Sequence, residues 1–225
     1  MFRSALPYAQ AAGIEGPLVC YQGAAVVEPA TGEWLLHEPI ALELAREAIA
    51  AVQAEGFGLN CYVDDELYVA ELTDHAHSYA DFQSLTITEV GDLLAWLERP
   101  PTKLVVVASP EDLDALRPRL VARFGGRLFI AKSLPHFLEF ASPRVSKGTG
   151  LAFVAEHLGF TAAETLAFGD GENDLELIEW AGYGVSVENG EELLKARADW
   201  VCPGPAEEGV AAVIEAYLHS LACST

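Results

Sequence analysis

Positive charge is what this sequence has least of. Thirteen Lys and Arg face 34 Asp and Glu, for a net charge of −21 and a pI near 4.4. Such a balance opposes non-specific binding to nucleic acid or to anionic lipid, where basic side chains must neutralise phosphates, so neither partner is expected. It also suits an anionic substrate poorly unless a metal and a well-placed lysine reverse the local field. No apolar run reaches the roughly 18 residues that a spanning helix needs. The start, Met-Phe-Arg-Ser-Ala-Leu-Pro-Tyr, has no long apolar segment of the secretory kind. A cytoplasmic location is therefore expected. The four cysteines (Cys20, Cys61, Cys202 and Cys223) form no Cys-x-x-Cys pair. That argues against a disulfide framework and against a zinc site built from cysteine alone. What remains is 225 residues, 51% hydrophobic, with mean hydropathy +0.21. This is enough for a sizeable core in one large domain or two small ones.

Two textures follow one another along the chain. Ser4 to Ala12 predicts a short helix, Leu18 to Tyr21 a strand, and Ala24 to Leu36 a hairpin around Pro29-Ala-Thr-Gly32. An amphipathic helix with Leu42, Ala45, Ile49 and Val52 on one face then runs to Gly56. Two strands follow across Asp64-Asp65. The tract Thr73 to Ser84 shows no period, so His75 and His77 are expected on an exposed loop rather than on a metal. Val90 to Leu97 reads as a helix and Thr102 to Ala108 as a strand. Ser109-Pro110-Glu111-Asp112 starts a helix that Pro118 should kink or shorten. Strands at Leu128 to Ala131 and Phe137 to Phe140 complete an α+β unit with a mostly antiparallel sheet. The texture changes between residues 140 and 146. From Lys147 the order is α-β-α-β-α-β-α, which argues for parallel strands with crossover helices. The last of these helices carries an apolar stripe of Val210, Val213, Ile214, Tyr217, Leu218 and Leu221.

Within the second texture, Leu166-Ala-Phe168 reads as a buried strand that stops at Gly169-Asp-Gly171. Asp170, Glu172 and Asp174 then place three carboxylates within five residues. Ligands in open α/β sheets collect at the carboxyl ends of strands, and such a spot suits a hard cation. The structural alternative is an acid-rich helix start with Asp174 as cap. An EF-hand is excluded, because its Gly and Glu places hold Leu175 and Ala181. A dinucleotide fingerprint is excluded by Asp174 at its third glycine. Lysine is scarce: Lys103, Lys132, Lys147 and Lys195. Lys147 begins a helix, where a cation opposes the dipole, so either an anion binds nearby or the side chain is simply solvated. Ser146 in place of Gly rules out a P-loop.

Together, Ser146-Lys147-Gly148, Phe168-Gly-Asp-Gly-Glu-Asn-Asp174, Ala181-Gly-Tyr-Gly-Val185, Asn189 and Ala198-Asp199 resemble the second half of a haloacid dehalogenase-like phosphatase, nearest the Cof-type subfamily. Tyr21-Gln22-Gly23-Ala24 and Glu208-Gly209-Val210 resemble further segments. The resemblance implies an α/β fold: a Rossmann-like parallel-sheet core from residues 1–37 and 142–225, with an α+β cap at 38–141. It implies a Mg²⁺-dependent phosphatase of a small phosphorylated metabolite, a sugar phosphate or a phosphorylated cofactor. Lys147 would supply fixed charge to phosphate and nucleophile. Asp170 would bind Mg²⁺, and Asp174 would bind the metal or its waters. Asn173 would contact a phosphate oxygen or hold the loop, and Glu172 would face solvent. Gln22 and Ile178 depart from the family's usual Asn and Met.

The largest departure is an absence. Members begin with a strand ending in Asp-x-Asp-Gly-Thr, which carries the nucleophile and the acid/base, and a later strand ends in Thr or Ser. Neither occurs here, and the one Asp-x-Asp, Asp112-Leu-Asp114, lies in a helical pattern. The implied core is N-terminally incomplete. Either the natural chain is longer, or its sheet is rearranged or completed by another chain, a homodimer through the exposed edge being one form. The alternative function is a non-catalytic protein that binds a phosphate ligand or a partner, because the covalent route needs the nucleophile.

Overall fold

The computed structural model describes residues 1–222, so Cys223 lies outside it. The chain divides into two compact units after Val145, within the change of texture. The first opens with α1 (Phe2–Ala11) and a three-stranded antiparallel sheet of β1 (Leu18–Cys20), β2 (Ala25–Val27) and β3 (Trp34–His37). Next come α2 (Leu42–Ala54), β4 (Asn60–Val63), β5 (Glu66–Val69), α3 (Asp74–Gln83), β6 (Ile87–Glu89) and α4 (Leu93–Trp96). β7 (Lys103–Val107), α5 (Pro110–Phe124), β8 (Phe129–Leu134) and β9 (Phe137–Ala141) complete it. Six strands form one sheet in the order β6-β5-β4-β7-β9-β8, antiparallel except for β5 with β6. Asp64 and Asp65, both at positive φ, make the two-residue turn that the twist of a β4–β5 hairpin favours.

Both faces of this sheet are covered, which is why all four residues of β4 are buried. Cys61, Val63, Leu104, Val106 and Phe140 meet Ile49 and Val52 of α2 and Leu113 and Leu116 of α5. Each fully buried Ile or Leu of that cluster contributes about 1.5–3 kcal/mol. The alternate residues Tyr62, Leu67, Val105 and Phe137 join Tyr79 and Ala80 of α3 with Phe2, Tyr21 and Val27. Three expectations need correction. The aperiodic tract is helix α3, capped by Thr73 Oγ1 accepting from Ala76 N at 3.2 Å. His75 and His77 are therefore exposed helix residues. A strand, β6, precedes the helix expected from Val90, which shrinks to Leu93–Trp96. Finally, Pro118 does not shorten α5, which continues past it to Phe124, and the proline is exposed, on the side of the helix where a freed carbonyl can be solvated.

The second unit begins at Ser146. It holds α6 (Lys147–Leu158), β10 (Leu166–Gly169), α7 (Leu175–Trp180), β11 (Tyr183–Val187), α8 (Glu192–Lys195), β12 (Trp200–Cys202) and α9 (Gly209–Ala222). The strands pair in parallel in the order β10-β11-β12, as the alternation predicts. Val185, Val187, Cys202 and Val213 form its core. The stripe on α9 is less covered than its pattern suggests: Val213 is buried, but Tyr217 is 48% and Leu218 57% exposed. A sheet of three strands is too narrow to hide it. No helix among the described residues is long and apolar enough to cross a membrane.

Candidate functional site

The site is built at the start of α6. Ser146 Oγ accepts from Thr149 N at 3.1 Å, while Thr149 Oγ1 accepts from Ser146 N at 2.8 Å. This reciprocal capping box fixes where the helix begins and places Lys147 in its first turn. Gly148 faces α7 so closely that a Cβ there would lie 2.4 Å from the Glu176 carbonyl oxygen. The absence of a side chain lets the two helices meet and brings Lys147 to the loop after β10.

Asp174 is the knot of that loop. Its side chain is 4% exposed and that of Lys147 33%. Lys147 Nζ donates to Asp174 Oδ1. Asp174 Oδ2 accepts from the backbone N of Asp170 at 3.0 Å and of Gly171 at 3.2 Å. A Cβ on residue 169 would sit 2.5 Å from Asp174 Cβ, so glycine there lets the carboxylate fold back under the turn. Asp174 thus serves its own loop rather than capping α7. The carbonyl of Asp170 accepts from Glu191 N at 2.9 Å, which ties the loop to the start of α8. Asn173 is half-buried against Gly171, and Glu172, expected to face solvent, is half-buried too.

These contacts set the two expected carboxylates apart. Asp170 presents an exposed carboxylate at the carboxyl end of a parallel strand. The oxygens of Asp174 are already engaged by Lys147 and two amides. Among the described residues no three His, Cys, Asp or Glu gather closely enough to enclose a metal. A Mg²⁺ ion held here would draw on one or two carboxylates, waters and substrate phosphate rather than on a protein cage. Asp170 would be the direct ligand, with Asp174 acting behind it by fixing its backbone.

A second polar cluster escaped the sequence reading. In the first unit Lys103 Nζ donates to Glu139 Oε1 at 3.0 Å, and both side chains are 5% exposed. Glu139 also accepts from Gln22 Nε2 and Ser133 Oγ, each at 2.8 Å. Burial disfavours both charges, but the partners outweigh it: Lys103 is held above, and Glu139 below, its ordinary range. Beside them Tyr21 donates its hydroxyl to Asp65, which also accepts from Phe2 N and Arg3 N. Burial first, then the Asp65 charge, pushes the Tyr21 phenol up. The signal was present in the sequence: single charges interrupt Lys103-Leu-Val-Val-Val107 and Phe137-Leu-Glu-Phe-Ala141.

The profile of the haloacid dehalogenase-like hydrolase family matches residues 1–214. The chain is 27% identical to 5-amino-6-(5-phospho-D-ribitylamino)uracil phosphatase YitU of Bacillus subtilis, over 96% of this chain and 81% of that protein. It is 33% identical to the chloroplastic endoribonuclease YBEY of Arabidopsis thaliana over 67% of this chain, but spans only 26% of that longer protein. A crystal structure of a haloacid dehalogenase-like hydrolase from Bacteroides thetaiotaomicron superposes with a TM-score of 0.83 at 26% identity, covering 95% of this chain and 82% of that one.

Proposed function

The chain belongs to the haloacid dehalogenase-like hydrolases, and on that premise we propose that it is a Mg²⁺-dependent phosphatase of a small phosphorylated metabolite. We take residues 1–37 and 142–225 as the catalytic core and 38–141 as its cap. The sugar phosphates and phosphorylated cofactors are the substrate class that this reading favours, in line with the name of the YitU relative. One observation supports it above the rest: in a chain of net charge −21, Lys147 is pinned beside the Asp170 loop at a strand end.

Each residue has a task. Lys147, a third exposed, offers an ammonium to a phosphoryl oxygen while Asp174 holds it in place. Asp170 would hold Mg²⁺, which when bound neutralises charge on the phosphoryl group. Asn173 offers its amide to the phosphate or secures the turn. The competing reading, binding of a phosphate ligand or partner without turnover, draws on one fact. The chain's Asp-x-Asp sits on α5, where Asp114 pairs with Lys132 instead of ending a strand.

Hydrolysis of p-nitrophenyl phosphate with Mg²⁺ distinguishes the two. The phosphatase reading expects turnover that Asp170→Ala and Lys147→Ala each reduce at least a hundredfold. Turnover indifferent to both variants refutes the site. Absence of turnover with calorimetric phosphate binding that Lys147→Ala removes supports the competing reading.

A further inference from the structure

We propose that two copies of this chain pair through the outer face of α9. The observation is a stripe left open: Val213 is buried against the sheet, while Val210, Ile214, Tyr217 and Leu218 stand between 36% and 57% exposed. Positions i, i+4, i+7 and i+8 share one side of a helix, so these four side chains form a single apolar strip rather than scattered exceptions. The strip runs onto the sheet: Tyr217 lines a hollow of about 310 Å³ together with Tyr183 of β11 and Leu166 of β10. Contiguous apolar surface of this kind marks a place where another surface sits.

Charge selects the occupant. Each copy carries a net −21, so copies repel wherever their carboxylates meet. Along α9 they need not meet, because its one carboxylate, Glu215, falls outside the i, i+4, i+7, i+8 pattern of the strip. The helix carries no Lys or Arg, which leaves nothing to hold an anionic headgroup or an acidic segment, and the strip carries no carboxylate for a basic one. What suits an uncharged apolar strip is another of the same kind, and a second copy brings one of equal length. On a two-fold axis the strip meets itself, its ridge of side chains four apart lying in the grooves of the partner helix. Covering the strip, Tyr183 and Leu166 on both copies buries roughly 900 Å², at the lower limit for specific association, so the expected dimer is an exchanging one of micromolar Kd. The inference stands apart from the phosphatase reading, since it uses no residue of that site and is tested without substrate.

The test is sedimentation velocity of the full chain, in about 50 mM and about 500 mM NaCl and at up to about 100 μM protein. The 24.1 kDa chain is expected to double in mass as its concentration rises. Salt screens the repulsion between copies and leaves apolar contact intact, so the dimer should tighten at least threefold at the higher salt, opposite to an ion-paired one. Leu218→Glu, at an exposed position, should weaken it at least tenfold. Ala212→Glu adds the same charge at an exposed position on the other side of α9 and should change it less than twofold. Thermal melting checks that both variants fold; should Leu218→Glu melt lower than the parent, Tyr217→Ser takes its place under the same criterion. Three results overturn the inference: a monomer at the highest protein and salt concentrations, a dimer that loosens as salt rises, or a dimer that Leu218→Glu weakens no more than Ala212→Glu does, which would move the contact to another surface such as the β10 edge.

Discussion

The Lys147 site depends on a contact with no charge in it, the meeting of α6 and α7 at Gly148. Two effects compete when this residue becomes alanine. In a helix interior alanine is favoured over glycine by about 0.8–1 kcal/mol, and by less in the first turn where Gly148 stands, so propensity alone still predicts a protein no less stable. The contact predicts the reverse. A Cβ at position 148 would lie 2.4 Å from Glu176 O, 2.7 Å from Glu176 C and 3.1 Å from Glu176 Cβ. Two of these are backbone atoms inside α7, so no rotamer change relieves them and one helix must shift by roughly 1 Å. Overpacking of that kind costs about 1–3 kcal/mol, and the backbone contacts place this case toward the upper end. We expect Gly148→Ala to lose about 1–2 kcal/mol net. Urea denaturation with unit-resolved probes measures this, since two units need not unfold together. Gly16→Ala is the control: nothing lies within 4 Å of its Cβ, and it should stay within about 0.5 kcal/mol of the parent. The same shift draws Lys147 from Asp174, so phosphate affinity or turnover should fall in Gly148→Ala but not in the control. A Gly148→Ala protein as stable as the parent, with its phosphate site intact, refutes the close approach and the account of how Lys147 is placed.

Other perturbations separate charge from packing. Asp174→Asn keeps the shape but sets an amide against Lys147; because that lysine is a third exposed, we expect about 2 kcal/mol rather than the full 3–5 of a buried broken pair, read by denaturation. Glu139→Gln leaves Lys103 buried without its counter-charge and should cost about 3–5 kcal/mol, while Lys103→Met with Glu139→Leu should be neutral or stabilising; comparable losses in both refute the desolvation argument. Burial pushes the Cys20 thiol up to about 11 and that of Cys61 to about 12, against 9.0 in the unfolded chain. Between pH 9 and 12 the unfolded state therefore holds fewer protons than the native one, so stability is full below pH 9 and falls as pH rises. Cys61→Ala should flatten that decline in a pH series of melting curves, and an unchanged slope would count against it.

How much of this was legible beforehand follows from what periodicity records. The parallel unit was readable because each of its elements buries one face against one neighbour, so strand and helix patterns stay distinct. Helix α3 was not, since its buried face consists of Ala76, Tyr79 and Ala80, and two alanines give little apolar contrast. Pro118 misled because its cost depends on whether the carbonyl it leaves unbonded meets water, which only the fold decides. At the site, spacing left Lys147 and the Asp170–Asp174 loop open between a ligand site and an ordinary helix start, and the resemblance to the phosphatases is what singled them out. The division of labour between the carboxylates was not legible: spacing treats Asp170 and Asp174 alike, and burial separates them. Similarly, the stripe on α9 shows that a face seeks cover without saying what covers it. Lys103 and Glu139 lie 36 residues apart, and in strands covered on both faces each reads as an interruption of an apolar run. Their pairing is set by the register of β7 against β9, where Glu139 stands opposite Val105 and both strands turn alternate residues to one face. Register is a property of the assembled sheet, so isolated charges within apolar strands are best read from sequence as requests for a partner, whose identity only topology supplies.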